Sequence, residues 1–264
     1  MLAVRIAPRD TNEALRSIAK ASQIKGLGVV HVRVDRSNTL TERFLQPIID
    51  RCHKNSKKVL ISCLPDTFAV PGRAAGGFHG GSDEYYAVLS RALVLGADGI
   101  EVECFHQKGL MKQQLLTHEQ LESLMEMARN KGVIGKRPQV LLSAHYSDSV
   151  PSDKDIGAKF SELAFFRPSA VKITVPDTMH EGKTRMAKLA EASEKAGTPL
   201  LAFGMRNDGL EYLLAAGKKA LKGYTKLADL TLEGIRPGRN RLLNRSGTKP
   251  PFRAQKPGRN TKVR

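Results

Sequence analysis

Short apolar runs separated by amphipathic stretches recur along the whole chain. Leu2–Ala7, Val29–Asp35, Lys58–Cys63, Asp98–Cys104, Val140–His145, Ala170–Val175 and Pro199–Gly204 are short and rich in β-branched or aliphatic residues, so each predicts a strand. Lys226–Thr231 supplies an eighth. The intervening stretches have helical spacing. Ala14, Leu15, Ile18 and Ala19 share one face of Thr11–Ser22, and Phe44, Leu45, Ile48 and Ile49 form the stripe of Thr41–His53. Further helices are expected over Ser82–Leu95, Thr117–Asn130, Ser152–Ala164, Glu181–Ala196 and Asn207–Ala216. Thr11 and Ser82 stand as N-caps, with Asp83 and Glu84 favourable in the first turn of the latter helix. Eight strands alternating with helices predict an α/β fold of the (β/α)8 TIM-barrel type over residues 1–234.

Two stretches depart from that rhythm. Leu64–Gly81, with Pro65, Pro71 and two Gly-Gly pairs, is too long for an ordinary strand-to-helix connection and reads as a functional or inserted loop. Residues 235–264 carry prolines, glycines and little apolar content, so a basic tail that stays extended unless bound is expected there.

Charge changes the picture more than composition does. Of a net +17 over 264 residues, the tail contributes ten basic residues and no acidic one, leaving +7 for the body. A basic body with a more basic tail suits a polyanionic partner, most simply RNA. The contacts expected from the tail are Arg236, Arg239, Arg241, Arg245, Lys249, Arg253, Lys256, Arg259, Lys262 and Arg264. Aromatic content of 5% without tryptophan argues against a stacking platform for single strands. Cys52, Cys63 and Cys104 form no C-x-x-C pair, which points to a reducing compartment and to neither a disulfide framework nor a zinc site. No apolar run approaches the ~18 residues a membrane span needs. Leu2 already begins a strand, so no removable presequence is expected, and the protein is placed in the cytoplasm or an organellar matrix (mitochondrion or plastid) rather than secreted.

The chemistry concentrates on three consecutive strands. Glu103, His145 and Lys172 lie toward the C-terminal ends of the fourth, fifth and sixth, where a barrel collects its reactive groups. A lysine inside Ala-Val-Lys-Ile-Thr-Val is costly to bury charged, and desolvation favours the neutral amine that attacks a carbonyl to form a Schiff base. A histidine on the neighbouring strand is a suitable proton shuttle, and an acid beside it fixes its tautomer. Such a lysine makes an external cofactor unnecessary, and no metal-ligand spacing is visible. The absence of G-x-G-x-x-G and Walker loops turns the reading away from nucleotide folds. His53 and His118 read as helix-surface residues, His79 and His106 as loop residues, and the methionines from Met111 to Met127 as helical.

Over residues 2–240 the chain resembles the type I 3-dehydroquinate dehydratases. The resemblance rests on His31-Val-Arg33-Val-Asp35, Gly76-Gly77, Ala97-Asp-Gly-Ile-Glu-Val-Glu103, Leu142-Ser-Ala-His145, Ala170-Val-Lys172-Ile, Met205 with Gly209, and Pro237-Gly238. It implies that Lys172 forms the Schiff base, His145 is the general acid/base, Glu103 orients it and Arg33 contacts substrate. It also exposes departures. The family places an acidic residue where His31 stands, and its arginine after the third strand falls near Leu64, with Arg73 a substitute from the loop. Its Ser-Arg pair after the seventh strand, which holds the substrate carboxylate, reads Tyr212-Leu213, and its late Ser-Ala-Pro-Gly-Gln reads Ile235-Arg-Pro-Gly-Arg239. Losing a bidentate arginine–carboxylate contact costs on the order of 2–5 kcal/mol in transition-state binding unless Arg239 or Arg73 replaces it.

Two functions follow from these features. The altered anchors and the charge point to a barrel redeployed as an RNA-binding structural subunit of a ribonucleoprotein, a ribosome above all, with rRNA and neighbouring subunits as partners. The intact Lys172–His145–Glu103 set points instead to an active type I 3-dehydroquinate dehydratase or related Schiff-base lyase acting on a small carboxylated ketone.

Overall fold

The computed structural model describes residues 2–205 and 211–216, apart from 38, 66–76, 109–110, 135, 148 and 177–180. The expected eighth strand and the basic tail therefore lie outside the described residues. So do Arg73, Gly76 and Gly209.

Seven parallel strands alternate with six helices: β1 (Leu2–Ile6), α1 (Thr11–Ser22), β2 (Leu27–Arg33), α2 (Glu42–Lys54), β3 (Lys58–Ser62), α3 (Ser82–Val94) and β4 (Gly99–Lys108), then a short β5 (Met111–Gln114), α4 (His118–Ile134), β6 (Gln139–Tyr146), α5 (Asp153–Phe165), β7 (Ala170–Pro176), α6 (Glu181–Ala196) and β8 (Leu200–Met205) among the described residues. A final strand, β9 (Glu211–Ala216), returns antiparallel along β8. The hydrogen-bonded order is β1-β2-β3-β4-β6-β7-β8-β9, with β5 folded back on β4. The result is a curled α/β half-barrel consistent with a TIM-type fold.

The helices form because their apolar stripes have a strand face to cover. Phe44, Leu45, Ile48 and Ile49 of α2 are all buried in the layer between helices and sheet, as their spacing predicted. The other face of the sheet has its own smaller cluster. Ala3, Val29, Leu60, Leu141, Ala170 and Leu201 each come from a different parallel strand, with Phe203 beside them. In β4 the equivalent position is Gly99, where a Cβ would stand 2.7 Å from the Gln139 carbonyl oxygen. These residues plug the N-terminal half of the concave face. One pleat further along, the inward positions turn polar in every one of these strands but β8, where Phe203 stands.

Several local expectations are corrected. Asp10, not Thr11, caps α1, its carboxylate accepting from the Glu13 N–H at 2.8 Å. Gly81 rather than Ser82 is the N-cap of α3, its N–H donating to Glu84 at 2.6 Å. β4 runs four residues past Cys104, so His106 sits on a strand and Met111 on its hairpin partner β5 rather than in a loop and a helix. Residues 211–216, expected to be helical, pair as a strand with β8, where Gly204 faces Tyr212 and Phe203 faces Leu213 in register. The segment Glu-Tyr-Leu-Leu-Ala-Ala has good helix formers, and the open edge of β8 overrides that preference. Among the described residues, no helix is long and apolar enough to cross a membrane.

Candidate active site

Strand alternation puts Glu101 and Glu103 of β4, His145 of β6 and Lys172 of β7 on the same concave face. Register sets their heights. Glu103 pairs with Ser143, and Ser143 with Lys172, while His145 stands two residues nearer the C-terminal end. All four are buried, with exposures of 3–8%. A charged group this deep must be matched by another, and each of these is.

Lys172 Nζ donates to Glu101 Oε1 at 2.8 Å and lies 5.3 Å from the centroid of the Phe203 ring, within cation–π range. Sequence alone suggested an amine driven neutral by desolvation. The carboxylate at its side opposes that effect and favours the ammonium, so the nucleophile rests in a paired state. His145 Nε2 stands 3.5 Å from Glu103 Oε1, the acid–imidazole juxtaposition expected from the order of the strands. A register irregularity in β4 after Glu103 meets Tyr85 of α3, whose phenol oxygen accepts from the Glu103 N–H at 2.9 Å. Burial, and then the Glu103 charge, push the Tyr85 phenol well above its ordinary pKa, so it stays a neutral peg under the carboxylate.

A second acid–imidazole pair lies beside the first. His31 of β2 is 2% exposed, with Nε2 at 2.7 Å from Ser62 Oγ and 3.6 Å from Glu101 Oε2. Neither Glu101 nor Ser62 was singled out from sequence. The spacing of Glu101 and Glu103 was the available signal, since two acids at i and i+2 on a buried strand must share a face. Glu101, Glu103 and His145 each place one donor atom within 4.8 Å of the others, a metal-sized grouping that sequence spacing did not reveal. The Lys172 ammonium already supplies a cation there.

Arg33, at the C-terminal end of β2, is held by Asp35 through Nε at 3.0 Å and Nη2 at 2.5 Å. Asp35 also accepts from the Leu64 N–H at 3.2 Å, tying the start of the long loop to the same corner. The guanidinium is thus fixed at the C-terminal end of β2. The ten basic tail residues, Arg239 among them, lie outside the described residues. His106 is buried with its Nε2 at 2.5 Å from Ser147 Oγ, whereas His53 and His118 are the exposed helix residues expected. The three cysteines are free and buried. Burial raises the Cys52 thiol to about 12, pushes Cys63 well above its ordinary value and raises Cys104, so none is poised as a nucleophile.

A half-barrel with a buried lysine flanked by carboxylates and imidazoles defines the class: an α/β half-barrel with a lysine-centred site on its concave face. The chain belongs to the type I 3-dehydroquinase family, whose family model matches residues 2–217. Solved structures agree on the fold. The 3-dehydroquinate dehydratase of Geobacillus kaustophilus superposes with a TM-score of 0.61 at 12% identity, covering 77% of this chain and 73% of that one. The Enterococcus faecalis enzyme gives 0.55 at 18%, covering 77% and 78%. The Clostridium difficile type I enzyme gives 0.56 at 15%, covering 77% and 74%. No curated protein sequence matches this chain significantly.

Proposed function

We propose that this protein is a Schiff-base-forming lyase of the dehydroquinase kind, acting on a small carboxylated ketone such as 3-dehydroquinate. The observation that carries the reading is the burial of Lys172, Glu103 and His145 together on one concave face, with Glu103 level with the lysine in register and His145 two residues nearer the C-terminal end, 3.5 Å from Glu103. Loss of function would not by itself maintain three such costly buried groups.

Each residue then has a task. Lys172 attacks the ketone carbon, and water leaves as the imine forms. The protonated imine draws electrons from the neighbouring carbon, whose proton His145 removes. The same imidazole delivers a proton to the departing hydroxyl, one proton taken and one given, and a water then hydrolyses the product imine, freeing Lys172 and leaving a net loss of one water. Glu103 orients the ring and matches its charge in the imidazolium form. Arg33 is the described cation at the rim for the substrate's carboxylate. The relative from Clostridium difficile was solved with covalently modified comenic acid, a small carboxylated ring compound, which supports this substrate class. Turnover of 3-dehydroquinate by full-length protein, followed through the conjugated enone product and abolished by Lys172→Ala, tests the reading. Absence of turnover at high enzyme concentration would count against it.

A second reading, RNA binding, is favoured by one observation, the ten basic residues after Ile235 without an acidic one. It assigns the tail, not the concave site, to a ribosomal or other ribonucleoprotein partner. Binding that weakens steeply with salt, and is lost on deleting residues 235–264, supports it; salt-insensitive or absent binding overturns it.

A further inference from the structure

We propose that Glu101 and His31 form an internal proton line to Lys172, through which the amine becomes nucleophilic without releasing a proton from the barrel. The inference deepens the Schiff-base reading and takes its purpose from it.

The geometry shows two acid–imidazole pairs, not one. Glu103 and His145 approach to 3.5 Å, Glu101 and His31 to 3.6 Å. Glu101 touches the lysine at 2.8 Å through Oε1, and its other oxygen faces His31. The first pair serves the substrate's carbon and the second serves the lysine's nitrogen.

Charge balance gives the second pair its role. The groups facing this layer are Lys172 from β7, Glu101 and Glu103 from β4, His145 from β6, His31 from β2, and Arg5 from β1, which pairs with His31 in register and alternates onto the face of Ala3. β3 offers the Ser62 hydroxyl and β8 the Phe203 ring, while Arg33 is matched by Asp35. Two fixed cations and two carboxylates balance when both imidazoles are neutral. An ammonium has no lone pair for a carbonyl, so its proton must leave. Sending it to solvent would strip a charge from a buried layer; sending it to His31 keeps the sum unchanged.

The step is a single proton transfer in two moves. The N–H bond at Nζ breaks toward Glu101 Oε1, leaving its electron pair on nitrogen. The carboxyl then turns about its Cγ–Cδ bond and delivers the same proton to His31 Nε2, regenerating the carboxylate. His31 Nε2 lies 2.7 Å from Ser62 Oγ; the proposed step takes a ring protonated on Nδ1, which accepts the Ser62 hydroxyl at Nε2 and donates back to it as imidazolium. Glu101 contacts the reacting amine; His31 acts through it as a positioning residue.

The test reads Lys172 directly and needs no dehydroquinate, so its failure is distinct from failure of the lyase reading. Full-length protein is reductively methylated with labelled formaldehyde and cyanoborohydride from pH 5 to 9. Methylation of Lys172 is measured by peptide mass spectrometry relative to Lys188, whose side chain is 67% exposed. For two independent amines this ratio is flat with pH wherever both are mostly protonated, the state the Glu101 carboxylate favours for Lys172. A proton shared between Lys172 and His31 makes the amine fraction of Lys172 constant while that of Lys188 keeps falling. The ratio should then climb about tenfold per unit as pH drops through at least one unit. His31→Gln and Glu101→Gln should flatten it. A flat ratio in the unmodified protein overturns the proposal even if neither variant folds, and so does a climb that survives His31→Gln.

Discussion

Replacing Lys172 with methionine should destabilise the fold far more than its loss of volume suggests. The substitution keeps the length of the apolar stem but removes the charge that faces Glu101 at 2.8 Å, with both side chains only 5% exposed. Breaking one side of a buried ion pair costs about 3–5 kcal/mol, because the remaining charge is left desolvated. For a domain of this size that corresponds to a fall in melting temperature of roughly 6–20 °C. Lys172→Met combined with Glu101→Gln should recover most of the loss, since a neutral pair carries no such penalty. The cost also depends on pH with a definite sign. Without its partner, Glu101 binds a proton more readily in the folded chain than in the unfolded one. Its folded pKa is then raised, and stability falls as pH rises through that value. Protonation of His31, 3.6 Å away, softens the penalty in the same acidic direction. Urea denaturation of the four proteins of the cycle at pH 5 and pH 7.5 measures all of this. A single-variant loss under about 1 kcal/mol, or one identical at both pH values, would refute the argument that this carboxylate is held by the lysine.

Other expectations follow from the same packing. Gly99→Ala should cost about 1–3 kcal/mol in chemical denaturation, because its Cβ meets the Gln139 backbone oxygen at 2.7 Å, too close without a shift. Asp10→Ala should cost about 1 kcal/mol as a lost cap, and Thr11→Ala much less. The buried thiols should resist Ellman's reagent in the folded protein at pH 8 and react in step with unfolding. The unfolded chain ionises these thiols near pH ~8.5, while the Cys52 thiol holds its proton up to about 12. Stability should therefore decline above that lower pH by about 1.4 kcal/mol per unit for each thiol still protonated in the fold.

The sequence carried the scaffold well because alternation and helical spacing report burial directly. Strands Lys58–Ser62 and Ala170–Pro176 and helix Glu181–Ala196 lie within a residue of where their apolar patterns put them. The failures have particular causes. The Asp10–Thr11 boundary holds two residues that can both cap, and only backbone geometry chooses between them. β5 and β9 are short edge pieces that exist because a neighbouring strand offers unpaired backbone groups, information that local propensity does not contain. At the site, Lys172 and His145 stand out as chemically distinctive groups in apolar runs, and Glu103 as the acid at the end of the strand before them. Glu101 escaped notice because its partners, Lys172 and His31, lie 71 and 70 residues away along the chain. Its spacing from Glu103 puts it on the same face of β4, but the register that brings it to Lys172 and His31 is set between strands.

The central claim, that Lys172 forms an imine with a keto acid, is tested most directly by trapping. Full-length protein is mixed with 3-dehydroquinate, reduced with borohydride and digested. The account predicts a stable adduct on the peptide bearing Lys172 whose mass equals a bound keto acid (substrate or dehydrated product) less water plus two hydrogens, absent from Lys172→Ala. An unmodified Lys172 at saturating ketone, or an adduct spread over surface lysines alone, would contradict it.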